Sequence, residues 1–154
     1  MKKYGLLIVA MMLWGGYAIA GTDVLNVSAS AAMSVSVNVS DDIAFGPYSG
    51  AQLTDIGVIN LTRSSNSLPV NITLSTGAAP DFTPRMLGAD LEYNLYTDAL
   101  WTIIWGDSSD TSVVVTWAAG GGNTANYTIF GSVPAGQSPG QGNFTDAITV
   151  TADY

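Results

Sequence analysis

The sequence predicts an all-β protein, an antiparallel sandwich, and three observations carry that expectation. From Leu25 to Ser40 apolar and polar residues alternate with a period of two, the pattern of an extended strand with two unlike faces. Turn residues then recur about every 8 to 12 positions, the spacing of short strands in a sandwich. No stretch after residue 20 keeps a helical period.

The chain opens with Lys2 and Lys3, an apolar block from Leu6 to Trp14, and the small-residue triplet Ala18-Ile19-Ala20. A membrane-spanning helix needs about 20 apolar residues, and Gly15 and Gly16 interrupt this block too early. Residues 1–20 are therefore expected to be a secretory signal peptide, cleaved after Ala20, with no stable membrane insertion afterwards. In the next run Leu25, Val27, Ala29, Ala31, Met33, Val35, Val37 and Val39 share one face, with polar or small residues between them. The run is too long for one strand of about 5 to 6 residues. The alanines at 29, 31 and 32 divide it into Val24–Ser30 and Met33–Ser40. The first segment has an apolar face and no partner before it in sequence. It is either a template for pairing with another molecule or the first edge strand of its own sandwich.

The remaining elements follow from punctuation and alternation. Asp41 to Gly57 reads as a loop, Val58 to Arg63 as a strand and Ser64 to Ser67 as a polar turn. Leu68 to Ser75 alternates through Leu68, Val70, Ile72 and Leu74; Thr76 to Asp90 is a loop rich in Gly, Ala and Pro. Strands are expected at Leu91–Tyr96, Thr102–Trp105, Ser112–Trp117, Asn126–Phe130 and Phe144–Tyr154, with Gly120-Gly121-Gly122 as a flexible connection.

Composition excludes several functions. Without Lys2 and Lys3, two arginines stand against twelve acidic residues, a formal balance of −10, so nucleic acid and anionic membranes are poor partners. The absence of His and Cys removes the usual general base, the thiolate nucleophile and most transition-metal sites. No cofactor is expected. The carboxylate pairs Asp107 with Asp110, Asp41 with Asp42 and Asp98 with Glu92 read as turn residues before they read as a glycosidase pair. Asp107-Ser108-Ser109-Asp110 lacks the spacing and terminal Glu of a calcium loop. Sequons at Asn26, Asn38, Asn60, Asn71, Asn126 and Asn143 arise from alternation on a polar sheet face, without implying glycosylation.

The second half of the chain is more specific. Tyr93-Asn94-Leu95-Tyr96-Thr97-Asp98-Ala99, then Trp105-Gly106-Asp107, then Phe130 to Gln137 with Pro134-Ala135-Gly136-Gln137, and Phe144 to Val150 resemble the spore coat protein U domain. That is the subunit family of archaic chaperone-usher pili. Phe45-Gly46 with Tyr48, Gly57-Val58-Ile59 and Arg85-Met86 extend the resemblance over essentially the whole chain after the signal.

The resemblance implies an incomplete immunoglobulin-like antiparallel β-sandwich that lacks its final strand. A periplasmic chaperone lends a strand to the groove, and an outer-membrane usher exchanges it for the N-terminal segment of the next subunit. Residues 21–31 would then be the donor segment, with Leu25, Val27, Ala29 and Ala31 as its inserting side chains, and residues 32–154 the pilin domain. The expected function is a structural, non-enzymatic subunit of an extracellular pilus for attachment and biofilm formation, with other copies of itself as partners in a homopolymer or a mixed pilus. One domain's worth of sequence suits a shaft or minor subunit. Rival readings are a secreted coat or matrix protein of the same fold, and a carbohydrate-binding module or hydrolase using Trp101, Trp105 and Trp117 as exposed aromatics, although aromatics at such places more often pack a sandwich core or a subunit interface. One departure stands out: the family disulfide, near Met33 or Ser34 and near Arg63, has no cysteines here.

Overall fold

The computed structural model describes residues 28–30 and 32–154. Two compact units divide the chain, 1–31 and 32–154. In the first, Ser28, Ala29 and Ser30 are exposed and belong to no regular element. The expected signal peptide and the side chains Leu25, Val27 and Ala31 lie outside the described residues.

The second unit contains β1 (Val35–Asp41), β2 (Leu53–Arg63), β3 (Val70–Leu74), β4 (Arg85–Leu87), β5 (Leu91–Tyr96), β6 (Val115–Trp117), β7 (Thr124–Val133) and β8 (Val150–Asp153); no helix is present among the described residues. One sheet has the order β1-β2-β7-β5-β4 and the other β6-β3-β8, with every strand pair antiparallel. Alternation decides what each strand buries. Ile59 and Leu61 of β2, Val70, Ile72 and Leu74 of β3, and Leu91, Tyr93 and Leu95 of β5 meet Ile129, Val133, Trp105 and Trp117 in one core. The Trp105 indole N–H donates to the Ile72 carbonyl at 2.9 Å, so its polar edge is satisfied where the ring is buried.

Several expected boundaries move. β2 starts at Leu53, inside the stretch read as a loop, and pairs with β7 from Leu53↔Val133 to Thr62↔Thr124. The apolar alternation fails there because two inward positions are Asp55 and Gly57. Asp55 accepts the Ala44 N–H at 2.7 Å. Gly57 lies beneath the chain at Asp41–Ile43, where a Cβ would come within 3.0 Å of the Asp41 carbonyl and Ile43 Cγ1. Gly131 on the neighbouring strand is equally constrained, since its Cβ would meet the Phe45 ring at 2.8 Å. These two glycines let the 43–45 segment lie directly on the sheet.

β4 emerges inside the expected 76–90 loop. Thr102–Trp105 forms only isolated bridges, Tyr96↔Ile104 and Trp105↔Val113, in place of a strand. The final strand is shorter than its alternation suggests, because pairing with β3 stops at Leu74↔Val150. Past that point Ser75 holds Thr149 through its backbone N–H and side-chain oxygen, and Phe144–Ala147 pairs with no strand among the described residues.

The outward face of β1, β2 and β7 is built in rows. Ser36, Thr62 and Thr124 are register partners, as are Asn38, Asn60 and Asn126; Ile56, Phe130 and Tyr96 form an apolar row. The in-line asparagines explain three of the sequons as one polar face.

Both described arginines are buried and bonded to neutral acceptors. Arg63 donates to the carbonyls of Gly122, Leu68 and Ala118 at 2.9 to 3.0 Å and stacks 3.9 Å over Trp117. Next to it the Ser64 N–H donates to the Ser34 carbonyl and the Ser34 N–H to Ser64 Oγ, both at 2.9 Å. Hydrogen bonds thus tie together the two strands at the place where the resemblance implies a disulfide.

A candidate docking groove

Among the described residues β1 pairs only with β2, and β8 only with β3, so each presents an edge that no described strand covers. A cleft of about 360 Å³ lies between those edges. Its rim carries Val39 from β1 and Ile148 and Val150 from the final segment; Ile59, Leu95 and Ile129 form the floor. Val39 is 50% exposed, unusual for a valine on the core-facing alternation of its strand. The cleft shares Ile43, Phe45, Leu87 and Asp146 with a wider mouth of about 1070 Å³ between the 43–50 loop and the 137–146 segment. At the other end the Tyr154 hydroxyl donates to the Met33 carbonyl and ties the strands together.

What this arrangement can do is take up one extended apolar segment. Phe144, Ile148 and Val150 lie at even-numbered positions along one wall, with Asp146 among them. Asp146 accepts the Tyr93 hydroxyl at 2.7 Å and the backbone N–H of Ala78 at 2.9 Å, so the wall's one carboxylate is already engaged. Burial, helped by that hydrogen bond and the Asp146 charge, pushes the Tyr93 phenol well above its ordinary range. Tyr93 therefore stays neutral and packs edge-on to Phe45, with centroids 6.1 Å apart.

The motif residues gather around structural tasks and form no reactive cluster. Tyr93 and Leu95 face the core, while Asn94 accepts from Arg85 Nη1 at 2.6 Å and donates to the Phe82 carbonyl at 2.6 Å. Tyr96 lies on the outer apolar row, and Thr97 N–H donates to the Ile103 carbonyl at 2.9 Å. Asp98 collects the N–H groups of Leu100, Thr102 and Ile103 and the Thr102 hydroxyl. Slight desolvation works against its ionisation, yet those donors hold the carboxyl below its usual range. Trp105 is core; Gly106 has no room for a Cβ, which would fall 2.4 Å from Ser112 Oγ. Asp107 closes a turn onto Ser109, whose side-chain and backbone donors lower its pKa.

In the remaining motif, Tyr48 donates to the Pro134 carbonyl and accepts from Gln137 N–H, both at 2.9 Å. Gln137 grips both backbone groups of Glu92 through its side-chain amide, and Gly136, at φ 85°, donates to Gly50. Ala135 is exposed in that turn. Sequence reasoning missed Asp146 as a groove residue, and Arg85 as its buried neighbour; neither has a periodic signal.

The acid pairs stay apart in role: Asp98 follows the end of β5 whereas Glu92 lies near its start, and Asp110 receives the Phe82 N–H at 3.4 Å. No group of three or more acids able to hold a metal occurs among the described residues. Trp105 and Trp117 are 1% and 5% exposed and pack the core, which removes them from the rival sugar-binding reading; of the three, only Trp101, at 38%, remains on the surface. The core can hold the other two because each indole N–H has a backbone carbonyl to bond, Ile72 in β3 for Trp105 and Gly121 in the adjoining loop for Trp117.

Comparison with known proteins agrees with this architecture. No curated protein matches the sequence. Among solved structures, a chain of the CsuC–CsuE chaperone–tip adhesion subunit pre-assembly complex, from the archaic chaperone-usher Csu pili of Acinetobacter baumannii, is similar at 17% identity and a TM-score of 0.58. The match covers 81% of this chain and 40% of that one, so this chain spans less than half of its relative. That likeness shows a shared immunoglobulin-like fold. The Spore Coat Protein U domain model matches residues 21–151, and the chain belongs to that family.

Proposed function

We propose that this chain is a structural subunit of an extracellular fibre of the archaic chaperone-usher type, polymerising by donor-strand exchange and serving attachment and biofilm formation. One observation carries the reading: a groove with two strand edges unpaired among the described residues lies open to the apolar core, in a chain that also has an alternating apolar segment ahead of its domain. Leu25, Val27, Ala29 and Ala31 recur every second residue and together reach about 20 Å along an extended strand, a spacing suited to the alternate positions of the groove wall. Full burial of each larger side chain stabilises by about 1.5 to 3 kcal/mol. Backbone pairing along the free edges adds to this. A subunit with the groove empty exposes apolar surface and unpaired edges, hence the need for a periplasmic chaperone before an outer-membrane usher passes the subunit to the fibre.

The experiment is expression with a chaperone and usher of the archaic type. Electron microscopy is expected to show surface fibres, and a chain lacking residues 21–31 is expected to remain a chaperone-bound single subunit. A truncated chain that still polymerises would remove the donor role from this segment. An amorphous secreted layer without fibres would favour the matrix-protein reading.

A further inference from the structure

We infer that the outward face of β1, β2 and β7 is a self-complementary contact that joins neighbouring fibres side to side through second copies of this chain; it rests on the fibre reading above. Charge is the first reason. Arg63 and Arg85 are 4% and 0% exposed, so every charged side chain on the described surface is an acid. Two copies approaching by most surfaces bring acids together. Three rows on this face carry none: serine, threonine and asparagine fill two of them, and Ile56, Phe130 and Tyr96 a third. The row between the asparagines and the apolar strip, Val58 with Thr128, meets Asp41 on the edge strand beyond the β1 bulge, so the one acid of the three strands' outward face stands at its margin. The outer face of the smaller sheet differs, since it carries Asp153.

The chemistry of the rows says what they fit. Asparagine amides and hydroxyls both donate and accept, so a row of them can meet its own copy across a twofold axis. The apolar row gives the contact a dry strip, with Ile56 47% exposed on it. A twofold contact of this kind pairs like patches, whereas donor-strand exchange links unlike patches head to tail. The groove therefore builds the fibre and the face joins fibres. From strand spacings the face measures about 400 to 500 Å² per copy, below the about 1,200 Å² total of a stable interface. Such a contact is too weak for free subunits. It becomes effective when many copies are held in line, as multivalency requires.

Fibres of the wild-type chain and of Asn38→Asp/Asn126→Asp are to be compared by light scattering and electron microscopy. Both substitutions are near-isosteric and exposed. The variant is expected to give the same detergent-resistant ladder, while the concentration at which fibres bundle rises about tenfold or more, since facing like charges oppose contact. Ile56→Asp is expected to act likewise, and Thr151→Asp, on the outer face of the smaller sheet, to bundle like wild type. Added salt up to about 0.15 M is expected to strengthen wild-type bundling by screening the surrounding acids. Unchanged bundling in both face variants, equal impairment by Thr151→Asp, or a lost ladder in both face variants would overturn the inference. Absence of a ladder from the wild type would instead sink the fibre reading, and the inference with it.

Discussion

Val27→Asp is expected to abolish polymerisation while leaving the subunit folded. By the alternation Val27 lies on the apolar face of the segment proposed to enter a neighbour's groove. The described residues lining that groove include no cation, and the acids Asp41, Asp42 and Asp146 are among them. A carboxylate introduced there loses its hydration without gaining a partner, at a cost of several kcal/mol, and meets acids at the rim besides. Ser28→Asp, one residue along on the polar face, is expected to polymerise nearly as wild type. The assay is the detergent-resistant ladder on unheated gels, with chaperone-bound subunit as the folding control. Should Val27→Asp polymerise normally, or unfold in the chaperone complex where Ser28→Asp does not, the segment belongs to its own domain.

Arg85→Met is expected to cost about 3 to 5 kcal/mol, because it strips donors from acceptors that have no water to replace them. Arg85 is fully buried and its guanidinium bonds the Ser75 carbonyl at 3.0 Å, Asn94 Oδ1 at 2.6 Å and the Trp105 carbonyl at 2.6 Å. These acceptors come from three separate stretches of the chain, which the planar fork holds together. Burial lowers the pKa of Arg85 to about 10, against the fields of Tyr93, Asp146, Tyr96 and Asp107, so it remains charged at neutral pH. Arg85→Lys is expected to fare no better, since one ammonium on a flexible stem does not reproduce the fork. The measurement is the denaturant midpoint of the assembled protein at unchanged m-value. A lysine variant of wild-type stability would show that charge alone is what the site needs.

Much of the fold was legible because the core is made by alternation: Val70, Ile72 and Leu74, or Leu91, Tyr93 and Leu95, declare their buried face without help from tertiary structure. The misreadings have physical causes. Leu53–Gly57 looked like a loop because its inward positions hold Asp55 and Gly57, each suited to the strap at 43–45 and not to an apolar neighbour. Phe144–Tyr154 looked like one long strand, yet its first part has an alternating sequence and no partner strand among the described residues. Arg63 and Arg85 entered the sequence reading through the charge balance and the family resemblance, with no sign that they are buried; their burial depends on carbonyls that the fold brings to them. The groove itself was implied by family resemblance alone, because its walls, at Val39 and Ile148, come from opposite ends of the domain and only topology brings them together.

The most direct test of the donor-strand account uses the absence of native cysteine. Cysteine is placed singly at positions 25 to 30 and, in each case, also at Ile148 on the groove wall, and assembled fibres are oxidised and analysed for covalent linkage. The account predicts a disulfide between neighbouring subunits from at least one of the apolar-face positions Leu25, Val27 and Ala29, and none from Asn26, Ser28 or Ser30. Disulfides confined within single chains, or formed equally from both faces, would contradict it.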